Sequence, residues 1–261
     1  MNLEDFARAN PKAVLGFSGG VDSSYLLYAG LRAGAEWQPV FIRTVFQPDF
    51  ELQDAERLCG ELGVRLEVLD MDILAVPEVR CNPKDRCYHC KHALFGTLYG
   101  WALSRGIDLL LDGNNASDPP GDRPGMRAAA ELGVRSPLRE AGLTKADIRR
   151  LSREAGLFTW NKPAYACLAT RIPTDTPLDA ETLQRVEQGE ALLRDMGYSD
   201  LRIRVFHGAA RIQLPADQMP SAVQRRKELI AGLSPLFAPV LLDLEGRPVN
   251  DDLIEGKGEN G

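Results

Sequence analysis

Three thiols, one aspartate and a pair of glycines carry most of the chemistry this sequence offers. The stretch VLGFSGGVDSSYLL places Ser18, Gly19, Gly20, Val21, Asp22, Ser23 and Ser24 between a short apolar run and a helical pattern. A glycine pair at a strand-to-helix turn removes two Cβ atoms where backbone N–H groups can turn inward, and the helix start adds unpaired donors of its own. Such a turn suits an anion. The serines supply further donors, whereas the Asp22 carboxylate would repel phosphate unless a divalent cation such as Mg²⁺ stood between them. The string is neither G-x-x-x-x-G-K-[ST] nor G-x-G-x-x-G. The physical reading is a metal-assisted phosphate cradle; the plain alternative is a glycine turn with capping serines.

A second loop, LDGNNASDPPGDRPG, follows the fourth expected strand and offers Asp112, Asn114 and Asp118. Ligands collect at the carboxyl ends of parallel strands, so these side chains are candidates for ribose, phosphate or metal contacts. The same residue types also fill ordinary surface turns.

The cysteines form a separate question. Cys87 and Cys90 make a C-x-x-C just before an expected helix, with Cys81 upstream and His89 and His92 close by. One such pair fits half a zinc site, a redox pair or part of an iron–sulfur site. Cys167 sits in KPAYACLATRIP, four residues before Arg171. A cation beside a cysteine favours the thiolate, as a nucleophile or metal ligand requires; the bland reading is a buried loop cysteine. Cys59 is expected to pack within a helix and Cys81 to lie in a loop.

Elements that alternate along the chain must position these groups. Apolar runs at 13–17, 39–45, 64–69, 107–111 and 134–137 read as buried strands. Helical patterns at 21–33, 52–62, 92–105 and 123–132 separate them. This implies an α/β fold with a mostly parallel, doubly wound sheet. TKADIRRLSREAG reads as a solvated helix with a threonine N-cap. Beyond Pro173, IPTDTPLDA marks a boundary, and a smaller α+β region follows: a helix at 180–196, strands at 201–206 and 209–214, a helix at 218–231 and a strand at 240–244. Residues from Glu255 onward are expected to be disordered.

The 261 residues are 44% hydrophobic with a formal net charge of −6, which gives no general attraction to nucleic acid. The acidic start MNLEDFARAN lacks the features of a signal peptide, and no apolar run reaches membrane-spanning length. A cytoplasmic protein without membrane or nucleic-acid partners is expected. In that reducing setting clustered cysteines read as ligands or reactive thiols.

SGGVDSS resembles the PP-loop of the N-type ATP pyrophosphatases, which split ATP into AMP and pyrophosphate. With GFSGGVDSS, NPKDRCYHCK, LDGNNASD, SPLREAGLTKADIR, KPAYACLATRIP, LRIRVFHGAARI and LLDLEGR in order, the chain is similar to the LarE family of ATP-dependent sulfur transferases. The resemblance implies a PP-loop domain over residues 1–173, a small C-terminal domain over 174–261, and a homo-oligomer, hexameric in the family. It further implies adenylylation of pyridinium-3,5-biscarboxylic acid mononucleotide and conversion to thiocarboxylates for the nickel-pincer nucleotide cofactor of lactate racemase and related enzymes. Sulfur comes either from a sulfide on a [4Fe-4S] cluster held by three cysteines, matching Cys87, Cys90 and Cys167, or from a sacrificed cysteine matching Cys167 alone. Arg202 and Arg204 match arginines that hold the substrate phosphate; alternate strand positions put both on one face. Gln213 departs from a glutamate in the family pattern, which weakens the case for a metal there. Glu190 and Glu140 are further candidate carboxylates, each equally readable as surface charge, and Arg211 reads as an exposed charge. The rival readings are a tRNA thiolase with the same loop and three cysteines, an ammonia-using synthetase, and a zinc-stabilised nucleotide-binding module.

Overall fold

The computed structural model describes residues 2–118 and 124–247. The chain divides into two compact units, one of residues 1–79 and 84–164, the other of 80–83 and 165–261. The sequence expectation set a division at Pro173 instead. Residues 80–83 join the second unit because the Asn82 side chain donates to the Pro173 carbonyl (2.9 Å) and the Leu178 N–H donates to the Arg80 carbonyl (2.8 Å).

The first unit runs α1 (Leu3–Ala9), β1 (Lys12–Gly16), α2 (Val21–Arg32), β2 (Glu36–Arg43), α3 (Asp49–Glu61), β3 (Glu67–Asp70), α4 (Pro77–Arg80, whose last residue belongs to the second unit), α5 (Arg86–Leu103), β4 (Leu110–Leu111), α6 (Pro124–Glu131), α7 (Pro137–Glu140) and α8 (Lys145–Glu154). Its four strands are parallel, in the order β3-β2-β1-β4. Strand β1 shows why both faces are covered. Ala13 and Leu15 enter a core with Phe6, Trp37, Leu58 and Ile148, while Val14 enters another with Val40, Phe95, Leu98 and Leu110. Successive strand residues point to opposite faces, so a strand buried on both reads as a continuous apolar run.

Several boundaries differ from the sequence expectation. The strand expected at 134–137 reduces to a single bridge between Arg135 and Leu111, because Pro137 has no N–H to give and opens α7. Helix α5 begins at Arg86, not His92, so the C-x-x-C lies inside its first turns instead of before it. Helix α1 was not expected; Asn2 caps it, its side chain accepting from the Asp5 N–H at 2.8 Å. The expected cap of α8 is present as a full capping box between Thr144 and Asp147.

The second unit holds α9 (Ala180–Asp195), β5 (Arg202–Phe206), β6 (Ala209–Gln213), α10 (Met219–Gln224), α11 (Arg226–Leu233) and β7 (Val240–Leu242). Strands β5 and β6 form an antiparallel hairpin, and β7 pairs parallel to β6. The helix expected at 218–231 is broken at Arg225, whose guanidinium turns back to the Met196 carbonyl (2.7 Å) and to Glu228. The tail expected to be disordered lies outside the described residues.

Candidate functional site

The glycine turn joins β1 to α2. Gly19 has φ +65°, and a Cβ there would meet the Ala55 N and Glu51 carbonyl of α3 at 3.0 Å, so only glycine closes the turn at this distance. Ser23, buried in the first turn of α2, donates to the Gly20 carbonyl (3.3 Å) and lies 3.2 Å from the Ser18 hydroxyl. The N-cap position of α2 is Gly20, with no side-chain cap. Its first N–H groups therefore stay available to an anion.

The loop after β4 comes down on this turn. A Cβ at Gly113 would stand 3.0 Å from the Ser23 N, which is how closely the two segments pack. Asp112 accepts from the Ser136 hydroxyl (2.7 Å) and the Asn114 N–H (3.1 Å), and burial pushes its carboxyl above the usual range despite those bonds and nearby Lys91. Between the two segments lies a cavity of about 310 Å³. Ser18, Asp22, Ser23, Lys91, Asp112 and Asn114 line its polar part; Val40, Phe41, Ile42, Phe95 and Leu98 line the apolar remainder. That mixed lining, with apolar side chains for a flat base and polar groups beside a helix N-terminus for an anion, suits a nucleotide.

Of the turn residues expected to bind, Ser18, Gly20, Asp22 and Ser23 reach the cavity, and Gly19, Val21 and Ser24 do not line it. Ser24 is fully buried, its hydroxyl without a partner among the described residues. Asp118 accepts from the Asn115 N–H at 2.9 Å, which is turn chemistry.

Two lysines complete the site, and the sequence reading passed over both. Lys145, first residue of α8, reaches Asp22 at 2.6 Å, and Asn115 donates to the other oxygen of Asp22 at 3.2 Å. Lys162 donates to the Gly19 carbonyl (3.1 Å) and pairs with Asp54 at 2.6 Å. One signal was available: a cation at the first position of a helix opposes the helix dipole and needs a compensating partner. Asp22 retains lone pairs beyond these two contacts and is 23% exposed, so its carboxylate suits a divalent cation shared with phosphate.

The thiols fall in different environments. Cys59 is buried in the first core, and burial pushes its thiol up to about 12, leaving it inert. Cys87 is exposed and Cys90 half-buried, three residues apart in α5 and so neighbours on one helical face. His89 pairs with Asp85, one turn earlier, at 3.4 Å. Cys167, half-buried, precedes a 3-10 turn (Leu168–Arg171) in the second unit. Three thiolates are the donor set a cubane with one open iron requires. Among the described residues, however, no three of His, Cys, Asp and Glu form a metal-holding group.

In the second unit Arg202 is buried, its guanidinium 4.9 Å from the Tyr165 ring, and burial together with Arg171 and Arg247 lowers it to about 10. Arg204 donates to the Thr170 carbonyl and to Gln213, both at 2.8 Å, and burial lowers it as well. Gln213 passes its amide on to Asp243 (2.7 Å), which also faces Arg211 at 3.4 Å. Glu190 is no surface charge: it is fully buried against Arg171 at 2.8 Å. Glu140 pairs with Arg135 at the surface, and that guanidinium holds its carboxyl below the usual range.

The chain is 38% identical over 251 residues to an uncharacterized protein of Synechocystis sp., covering 94% of this chain and 93% of the relative. It is 32% identical over 238 residues to the pyridinium-3,5-bisthiocarboxylic acid mononucleotide synthase of Lactiplantibacillus plantarum, covering 90% of this chain and 86% of that one. The chain belongs to the LarE family. It is an enzyme, an ATP-using sulfur transferase. The tRNA-specific 2-thiouridylase MnmA of Hahella chejuensis is more distant, 24% identical over 59% of this chain and 51% of its own length, and it places the LarE-type chain among PP-loop proteins. No family model matches the chain. No helix among the described residues is long and apolar enough to cross a membrane.

Proposed function

We propose that the protein adenylylates the carboxylates of pyridinium-3,5-biscarboxylic acid mononucleotide and converts them to thiocarboxylates for a nickel-pincer nucleotide cofactor such as that of lactate racemase. The likeness to the Lactiplantibacillus plantarum synthase over nearly the whole of both chains carries this reading. The cavity beneath the glycine turn supports its first half. ATP would lay its base against Phe41, Phe95 and Leu98 and its phosphates on the α2 N-terminus. Asp22 would hold Mg²⁺, while Asp112 and Asn114 would face the ribose or phosphates. A carboxylate oxygen of the substrate attacks the α-phosphorus, pyrophosphate leaves, and the acyl-AMP formed is a far better electrophile than the carboxylate. Lys145 and Lys162 stand within reach of the turn to neutralise departing charge.

Arg202 and Arg204 would take the phosphate of the substrate mononucleotide. Sulfur then displaces AMP from the acyl carbon. An iron–sulfur cluster on Cys87, Cys90 and Cys167 would supply an open iron for an extra sulfide; without it, the Cys167 thiolate displaces AMP to form a thioester, and loss of its Cα proton with cleavage of the Cβ–Sγ bond releases the thiocarboxylate and leaves dehydroalanine at position 167. Cys167 serves both routes. We further propose a cytoplasmic homo-oligomer, hexameric as the family resemblance implies, with no nucleic-acid partner.

The test is anaerobic incubation of the full chain with Mg²⁺, ATP, inorganic sulfide and the dicarboxylate mononucleotide, followed by mass spectrometry of product and protein. The expected result is thiocarboxylate with AMP and pyrophosphate, abolished by Cys167→Ala. A Cys167 that has lost its sulfur after one turnover selects the sacrificial route, and an intact Cys167 over many turnovers the cluster. Thiocarboxylate formed at the unmodified rate by Cys167→Ala would overturn the assignment.

A further inference from the structure

Glu190 and Arg171 have no exposed side-chain surface, and their contacts reach two segments that the chemistry needs. Arg171 donates from Nε and one terminal nitrogen to the two oxygens of Glu190, at 2.8 and 3.1 Å. Its other terminal nitrogen donates to the Ala166 carbonyl (2.7 Å), the Cys167 carbonyl (3.3 Å) and the Thr170 hydroxyl (2.8 Å). The turn that bears the Cys167 thiol is thus gathered around one guanidinium. On the far side, Glu190 accepts the Ile203 N–H at 2.9 Å and the Tyr165 hydroxyl. Ile203 lies between Arg202 and Arg204, and its N–H would otherwise face outward from the β5–β6 hairpin. Arg204 closes the loop by donating to the Thr170 carbonyl at 2.8 Å.

A planar, doubly forked contact of this kind fixes direction as well as distance. We propose that Arg171 is a positioning residue for sulfur transfer: through Glu190 it locks the Cys167 turn to the strand that presents Arg202 and Arg204, and so sets the spacing between sulfur and the phosphate of the substrate. This rests on the roles given above to Cys167 and the two arginines. A charged pair carried into a core is a costly way to stabilise it, since apolar residues of the same volume usually do as well. What apolar residues cannot do is satisfy two carbonyls, two hydroxyls and a strand N–H at fixed angles.

Two variants of the full chain test it. Arg171→Lys keeps the charge and loses the fork; the double variant R171M/E190Q removes both buried charges and so folds without an uncompensated one. The readouts are kcat and KM for the mononucleotide, taken as the first-turnover rate constant and its half-saturating concentration so that they apply to either sulfur route, and amide hydrogen exchange by mass spectrometry. Arg171→Lys is expected to lower kcat on the order of 10²-fold, as a misplacement of about 1 Å does, with KM held within about threefold. Exchange over residues 166–172 should quicken about tenfold while that over β6 stays as in the unmodified chain. The double variant should repeat the kcat loss with β6 equally protected.

Unchanged kcat in either variant with β6 protected would overturn the proposal. Exchange rising together over 166–172 and β6 in both would also overturn it, making the pair a core strut only. Failure of the underlying reading shows differently: Cys167→Ala would still transfer sulfur, whereas the exchange comparison would still report whether Arg171 holds the turn.

Discussion

Two ion pairs of nearly equal length behave as opposites. Lys145 and Asp22 meet at 2.6 Å beside the glycine turn with 21% and 23% of their side chains exposed. Arg171 and Glu190 meet at 2.8 Å with nothing exposed. Water screens the first pair and each partner keeps other options, so the lysine can leave Asp22 for a phosphate oxygen and the carboxylate can take a cation. The second pair has no solvent to fall back on, and every oxygen and most N–H groups are spoken for. On the proposed function the first pair must change partners during turnover, whereas the turn that bears Cys167 must stay where it is. Distance alone does not distinguish these uses, and burial with its hydrogen bonds does.

The sharpest way to break the comparison is to remove one cation from each pair. Arg171→Met strands a buried carboxylate and should cost about 3–5 kcal/mol in denaturant unfolding. Equal losses for Arg171→Met and Lys145→Met would erase the distinction. Lys145→Met should instead act on chemistry, slowing pyrophosphate release on the order of 10²-fold in a coupled assay. Its stability should change by about 1 kcal/mol or less. Next, Gly19→Ala forces a side chain into a left-handed turn already pressed on α3, at about 1–2 kcal/mol in thermal unfolding.

The smallest effect belongs to the surface pair of Glu140 and Arg135. Arg135 lowers the Glu140 pKa, so the contribution is present above the unfolded carboxylate range and is lost as pH falls through the depressed folded value. Glu140→Gln should cost about 0.5 kcal/mol near neutral pH, discounted for exposure, and nothing in acid. A cost that persists in acid would mean the contact is packing, not charge.

How much of this was readable beforehand depends on sequence distance. The glycine turn, the Thr144 cap and the loop at Asp112 are local devices, each written in a few consecutive residues whose backbone geometry admits little else. The start of α5 was missed because Cys87, Tyr88 and His89 carry no helical apolar spacing, and Asp85 before it makes no side-chain capping bond that would mark the boundary. Lys145 and Lys162 were missed because their partners lie 123 and 143 residues away. Glu190 was readable as surface charge because a lone glutamate in a helix usually is one.

The sequence by itself determined the strand-to-helix glycine turn, the alternating α/β pattern and the supply of thiols, since these follow from steric and hydrophobic rules acting over short stretches. Only the tertiary structure decided which cation each carboxylate meets and which of those pairs water can reach. Charge is a property of a residue, but its screening is a property of everything packed around it.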